Sequence, residues 1–173
     1  GNDMSLIISY NMDTQKFQSF TPGTDETAIS NVNIGPFTGL IVNLKNPKGI
    51  TFRGNGWQPG TVELNKGINL ISIPLNDPDV TRVSDLTKVL GDKVSLIISY
   101  NIAQGKFQSF TSTTAPGTPT DVPIEGGKSL IVSIKDAGSF DVVGDPWENP
   151  SPPPVPAPIM FSKVGIAHSS SPV

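Results

Sequence analysis

Ser95-Leu96-Ile97-Ile98-Ser99-Tyr100-Asn101 is a β-prone, nearly continuous apolar run, and the same seven residues already stand at Ser5-Leu6-Ile7-Ile8-Ser9-Tyr10-Asn11. Working outward at this spacing of 90 residues, Lys16-Phe17-Gln18-Ser19-Phe20-Thr21 returns as Lys106-Phe107-Gln108-Ser109-Phe110-Thr111. Leu40-Ile41-Val42 returns as Leu130-Ile131-Val132, and Gly54 and Trp57 as Gly144 and Trp147. From Ser5 to Trp57, 22 of 53 positions are identical, which is far beyond coincidence and marks a copied supersecondary unit. The copied run reads as a buried central strand, with Lys106–Phe110 as its hairpin partner across Asn101–Gly105.

The full copy contains more. Thr61–Leu64 and Ile68–Leu75 flank Asn65-Lys66-Gly67 and read as a β-hairpin, with Pro74 marking a strand end or an edge. Asn76-Asp77-Pro78-Asp79 reads as a helix entry, Asp77 capping free N–H groups. Val80, Val83, Leu86, Val89 and Leu90 recur at helical spacing before Gly91, which predicts one amphipathic helix over residues 79–90. Residues 112–123, rich in Thr and Pro, read as a long loop. Ser129–Lys135 and Ser139–Val143 read as a last pair of strands around Asp136-Ala137-Gly138.

The expected fold is mainly β, or α+β by strict count. It consists of two tandem copies of a small five- to six-stranded sandwich- or barrel-like unit, the first truncated. Residues 1–58 form the partial first repeat with its last four strands, and residues 59–147 form the complete one. Residues 148–158 are a Pro-rich, extended linker. Residues 159–173 begin a further domain or form an arm along a sheet edge. Two packed subdomains are expected, the gap in the first hidden by a shared interface or by dimerisation.

Composition narrows function by exclusion. Twelve basic and fifteen acidic residues give a net charge of −3 with no run of either sign, which argues against nucleic-acid binding. No apolar stretch reaches the length of about 18 residues that a spanning helix needs. The chain has no Cys and a single histidine, His168, so thiol nucleophiles, Cys-ligated zinc and Ser-His-Asp triads find no support. His168 among Ser169, Ser170 and Ser171 reads as a tail residue.

Four aromatics are candidate ligand contacts. Trp57 and Trp147, at equivalent places after a strand, could stack on a sugar ring or seal the junction between repeats. Tyr10 and Tyr100 stand on the repeated hairpins beside Phe17, Phe20, Phe107 and Phe110. Asn76, Asp77 and Asp79 are oxygen-rich but lack a calcium-loop pattern. Asp141 and Asp145 have no partner acid at a diagnostic spacing. No catalytic, cofactor-binding or metal-binding residue is assigned, and the chain reads as non-enzymatic.

Gly67-Ile68-Asn69-Leu70-Ile71-Ser72-Ile73-Pro74-Leu75 resembles the opening strand of repeat modules in large bacterial and archaeal cell-surface proteins. Those modules read roughly Gly-Trp/Leu-Asn-Leu-Ile-x-x-Pro. The resemblance continues through Val83-Ser84-Asp85-Leu86, the Ile-Ile-Ser-Tyr-Asn hairpin, Gly126-Gly127 before Leu130, and Val142-Val143-Gly144-Asp145-Pro146-Trp147. Here Ile68 stands where an aromatic is usual, and Ser129-Leu130 where an aromatic pair is common. The resemblance implies an extracellular, anchored, multidomain setting. The expected role is a structural spacer or adhesion surface at the cell exterior, or else a carbohydrate- or protein-binding module. The expected partners are neighbouring domains of the same protein, a glycan or another surface protein, and a second copy meeting through the incomplete repeat.

Overall fold

The computed structural model describes residues 3–25, 27, 34–46, 56–102 and 104–147. The expected linker and following segment, His168 and Gly54 lie outside the described residues. In chain order the elements are β1 (Met4–Asn11), β2 (Lys16–Phe20), β3 (Ile41–Leu44), β4 (Gly60–Leu64), β5 (Gly67–Ser72) and β6 (Leu75–Asn76). They continue with α1 (Val83–Leu90), a 3-10 turn (Gly91–Lys93), β7 (Val94–Asn101), β8 (Lys106–Phe110), β9 (Ser129–Ile134), β10 (Gly138–Val142) and β11 (Asp145–Pro146). The protein is mainly β, its sheets are antiparallel, and none closes into a barrel.

The second repeat is built like a sandwich. One layer is the four-stranded sheet β5-β9-β7-β8, and facing it is the pair β4-β10, with the short pair β6-β11 beside them. Val62 and Leu64 on β4, and Phe140 and Val142 on β10, alternate with exposed residues, as a sheet with one buried face requires. They share one core with Ile71, Ile73, Ile97, Phe110, Leu130, Val132 and Ile134 of the larger sheet. On β7 the register shifts between Val94 and Leu96, and this bulge lets Val94 and Ile97 both point inward.

The expected hairpin, and likewise the expected last pair of strands, turn out to be corners between layers. β4 pairs with β10, and β5 with β9, so Thr61–Leu64 and Ile68–Leu75 lie in different layers, as do Ser129–Lys135 and Ser139–Val143. The first of these corners is held by Asn69, whose side chain is completely buried. Its Oδ1 accepts the Asn65 N–H at 2.9 Å, while its Nδ2 donates to the carbonyls of Asn65 at 2.8 Å and Gly67 at 3.2 Å. The backbone groups of Asn65 are thereby satisfied inside the corner and need no cross-strand partner. Gly67, at φ +99°, makes the bend.

The helix also departs from expectation, since it starts at Val83 and not at 79. Asp77 is no N-cap. It accepts the Asp79 N–H at 2.9 Å in a local turn, buried against the chain near Val143. The first helical amides are taken from far away instead, Val83 N–H by the Val122 carbonyl at 3.1 Å and Ser84 N–H by Asp121 Oδ1 at 2.9 Å. The Asp121 carboxylate also accepts the Gly117 N–H at 2.8 Å and Arg82 Nε at 3.2 Å. Burial opposes its ionisation, but the Gly117 and Ser84 amides, the Ser84 hydroxyl and the Arg82 guanidinium outweigh that and hold the carboxyl below its usual range. Val83, Leu86 and Leu90 face the core, whereas Val89, placed on that face by its spacing, is exposed.

The first repeat reproduces the second at the same spacing. β2-β1-β3 pairs in the register of β8-β7-β9: Ile7 faces Phe20 as Ile97 faces Phe110, and Ile7 faces Val42 as Ile97 faces Val132. The bulge recurs between Met4 and Leu6. Ser5 Oγ donates to the Asn43 carbonyl at 3.0 Å, as Ser95 Oγ does to Ser133. The copies meet at the outer edge of β5, where Gly39 N–H donates to the Leu70 carbonyl at 3.2 Å and Ser72 N–H to the Phe37 carbonyl at 2.9 Å. Residues 60–90 therefore pair mainly with the strands that follow them and bridge to those before.

Candidate functional site

The four candidate aromatics occupy three different settings, Tyr10 and Tyr100 on the repeated hairpins and Trp57 and Trp147 outside them. Tyr100 on β7 points away from the core and meets Phe107 of β8 edge to face, with ring centroids 5.0 Å apart and planes at 65°. Tyr10 and Phe17 repeat the arrangement at 4.9 Å and 65°. The odd spacing within β8 sends Phe107 outward and Phe110 into the core. Both pairs are T-shaped, so neither offers two coplanar rings to a sugar.

Trp147 is the sealing residue of the second repeat. Its indole N–H donates to the Ile73 carbonyl at 2.9 Å and its ring packs on the core. A methyl group on Gly126 would fall 2.7 Å from the Trp147 ring, so only glycine fits there. Trp57, at the equivalent place, is 45% exposed. The same sequence position thus carries one structural tryptophan and one displayed to solvent.

A cleft of about 320 Å³ opens at the end of β7, lined by Ser99–Ile102 on one side and by Val122, Pro123, Glu125, Lys128 and Leu130 on the other. Tyr100 and Ile102 present exposed apolar surface at its mouth. Across it Lys128 Nζ and Glu125 Oε2 form an ion pair at 2.8 Å. Asn101 is already engaged, its Oδ1 by the Gln104 N–H at 3.0 Å and its Nδ2 by Gln108 at 3.2 Å. What remains for a ligand is the Tyr100 face, the Ile102 side chain and the charged pair. Such a surface can hold a ring or a short peptide.

Glu125 and Lys128 were not singled out by sequence reasoning. The available signal was the Glu125-Gly126-Gly127-Lys128 turn, in which Gly127 takes φ +78° and folds the charges back on each other. The acids weighed as ligands are dispersed. Asp77 is buried in backbone contacts, and Asp141 accepts the Thr61 hydroxyl at 2.7 Å. Asp145 is exposed on β11. Among the described residues no group of three or more His, Asp or Glu could hold a metal ion, and no helix is long and apolar enough to cross a membrane. Comparison of the chain with family models, with curated proteins and with solved structures finds no match.

Proposed function

We propose that this chain is a non-catalytic repeat module of an extracellular surface protein, serving as structural spacer and interaction surface. One observation carries the reading: two sequence copies repeat one strand register and are joined by direct backbone hydrogen bonds at β5. A module of this kind transmits position along a chain, because its neighbours are docked and not merely tethered. Few charges and abundant turn residues suit a display surface. The reading is tested by antibody labelling of intact and permeabilised source cells. Labelling of intact cells is expected, and labelling seen only after permeabilisation would overturn it.

A second reading has its own support in the exposed Tyr100 beside its cleft. There the module binds a carbohydrate or a peptide through that face. Glycan- and peptide-array binding that disappears on Tyr100→Ala would establish it, and blank arrays would remove it.

A further inference from the structure

The inner face of the first repeat leaves in water the side chains that the second repeat hides. Ile34 is 61% exposed and Val42 41%, whereas their counterparts Ile124 and Val132 are 6% and 0% exposed. Trp57 is likewise open where Trp147 is sealed. In the second repeat one segment, residues 60–90, reaches all three of these places. Ile124 N–H donates to the Thr81 carbonyl at 2.9 Å, Asn69 Nδ2 reaches the Val132 carbonyl at 3.4 Å, and the Trp147 indole N–H meets the Ile73 carbonyl at 2.9 Å. The strand edges agree. β9 lies between β7 and β5, while β3 pairs with β1 on one side and, among the described residues, with no strand on the other.

We propose that the inner face and open edge of the first repeat form an acceptor site for a further copy of a segment with the chemistry of residues 60–90. The occupant is an apolar strand carrying a buried Asn, followed by an amphipathic helix. Its Asn reaches the Val42 carbonyl, its Ile73-equivalent carbonyl receives the Trp57 indole, and its helix entry covers Ile34. This chain's own segment cannot serve, because it is committed to β9 and β10 of the second repeat. Recognition is by strand addition, with backbone hydrogen bonds supplying affinity and the side-chain pockets supplying selection.

The probe is a synthetic peptide of residues 60–90 added to the full chain. The readouts are Trp57 fluorescence in a Trp147→Phe background and hydrogen exchange of the Val42 and Leu44 amides in the unaltered chain. Saturable movement of Trp57 emission to shorter wavelength, with amide protection, is expected. A peptide carrying Asn69→Ala should bind about tenfold more weakly, the equivalent of one buried hydrogen bond. A chain carrying Val42→Lys should not bind, and since that side chain is exposed the fold should survive. If the free peptide is insoluble, the same segment can be fused ahead of residue 1. Residue 91 corresponds to residue 1 at the 90-residue spacing, so the fusion needs no linker. Unchanged Trp57 emission in either format would overturn the proposal, as would undiminished binding to the Val42→Lys chain. So would a chain that is already dimeric with Trp57 shielded, since the occupant would then be a second copy.

Discussion

Asp121 holds the backbone amide of Ser84 at 2.9 Å across 37 residues of chain, so the helix is capped by the loop that follows the next hairpin. The same carboxylate gathers Gly117 and Arg82, and its side chain is fully shielded from solvent. Removing it leaves the buried Ser84 amide, and the part-buried Gly117 and Arg82 donors, without that acceptor. Asp121→Ala should therefore cost about 3 kcal/mol in urea unfolding. A loss below about 1 kcal/mol would show that the loop does not hold the helix.

The same group gives a signed pH dependence. Its folded carboxyl ionises below the value of about 3.9 expected in the unfolded chain. Its contribution is therefore complete above that value and is lost as the pH falls through the folded one. Urea midpoints of the unaltered chain and of Asp121→Asn should differ at pH 7 and converge as the pH drops below about 4. A gap that stays constant down to acid unfolding would refute the assignment.

Asn69 makes a prediction that separates polarity from volume. Its amide both accepts and donates within the corner, so neither an apolar nor an ionised replacement can do its work. Asn69→Leu and Asn69→Asp should each lose about 2–4 kcal/mol, the first by orphaning the Asn65 amide and carbonyl, the second by burying a charge. Equilibrium denaturation would check both. A stable Asn69→Leu chain would mean that apolar packing alone forms the corner.

Glycines 144 and 117 both have positive φ, yet they should respond differently to a methyl group. At Gly144, φ +112°, a Cβ would stand 2.3 Å from the Asn76 carbonyl oxygen, whereas at Gly117, φ +78°, nothing lies within 4 Å. Gly117→Ala carries the backbone cost alone, about 1 kcal/mol. Gly144→Ala adds overpacking and should total about 3 kcal/mol or more. Equal losses in thermal unfolding would place the whole effect in the backbone.

The repeat register, the central strand at 94–101 and the strands at 61–64 and 129–134 were legible because they follow from apolar runs and periodicity. The corners were not. Asn65-Lys66-Gly67 is locally indistinguishable from a hairpin turn, and what redirects it is the Asn69 side chain folded back on its own backbone. The helix start failed for a related reason. Asp77-Pro78 has the chemistry of a cap, but the acceptor actually used is Asp121, which no local pattern could assign. At the candidate site, sequence equivalence made Trp57 and Trp147 alike. Their difference lies in what covers them, and only Trp147 has the Ile73 carbonyl in reach.

Phe37 offers the sharpest test of how the repeats are joined. It adopts φ +53°, a left-handed conformation costly for a β-carbon-bearing residue, at the position where the second repeat has Gly127 at φ +78°. The strain is held by docking. The ring packs against the core of the second repeat, close enough to Gly60 that a methyl there would sit 3.2 Å away, and the Phe37 carbonyl takes the Ser72 N–H. Phe37→Ala should lose about 2–3 kcal/mol of packing while keeping the strained backbone. Phe37→Gly deletes more atoms but relieves that strain, by about 1 kcal/mol. The glycine variant should therefore be as stable as the alanine variant or more so, although β-carbon loss in an ordinary conformation would predict the opposite. Hydrogen exchange at the Gly39 amide gives the local readout, and in both variants it should quicken as the bond to Leu70 loosens. An alanine variant clearly more stable than the glycine one would show that the left-handed backbone at residue 37 stores no such strain.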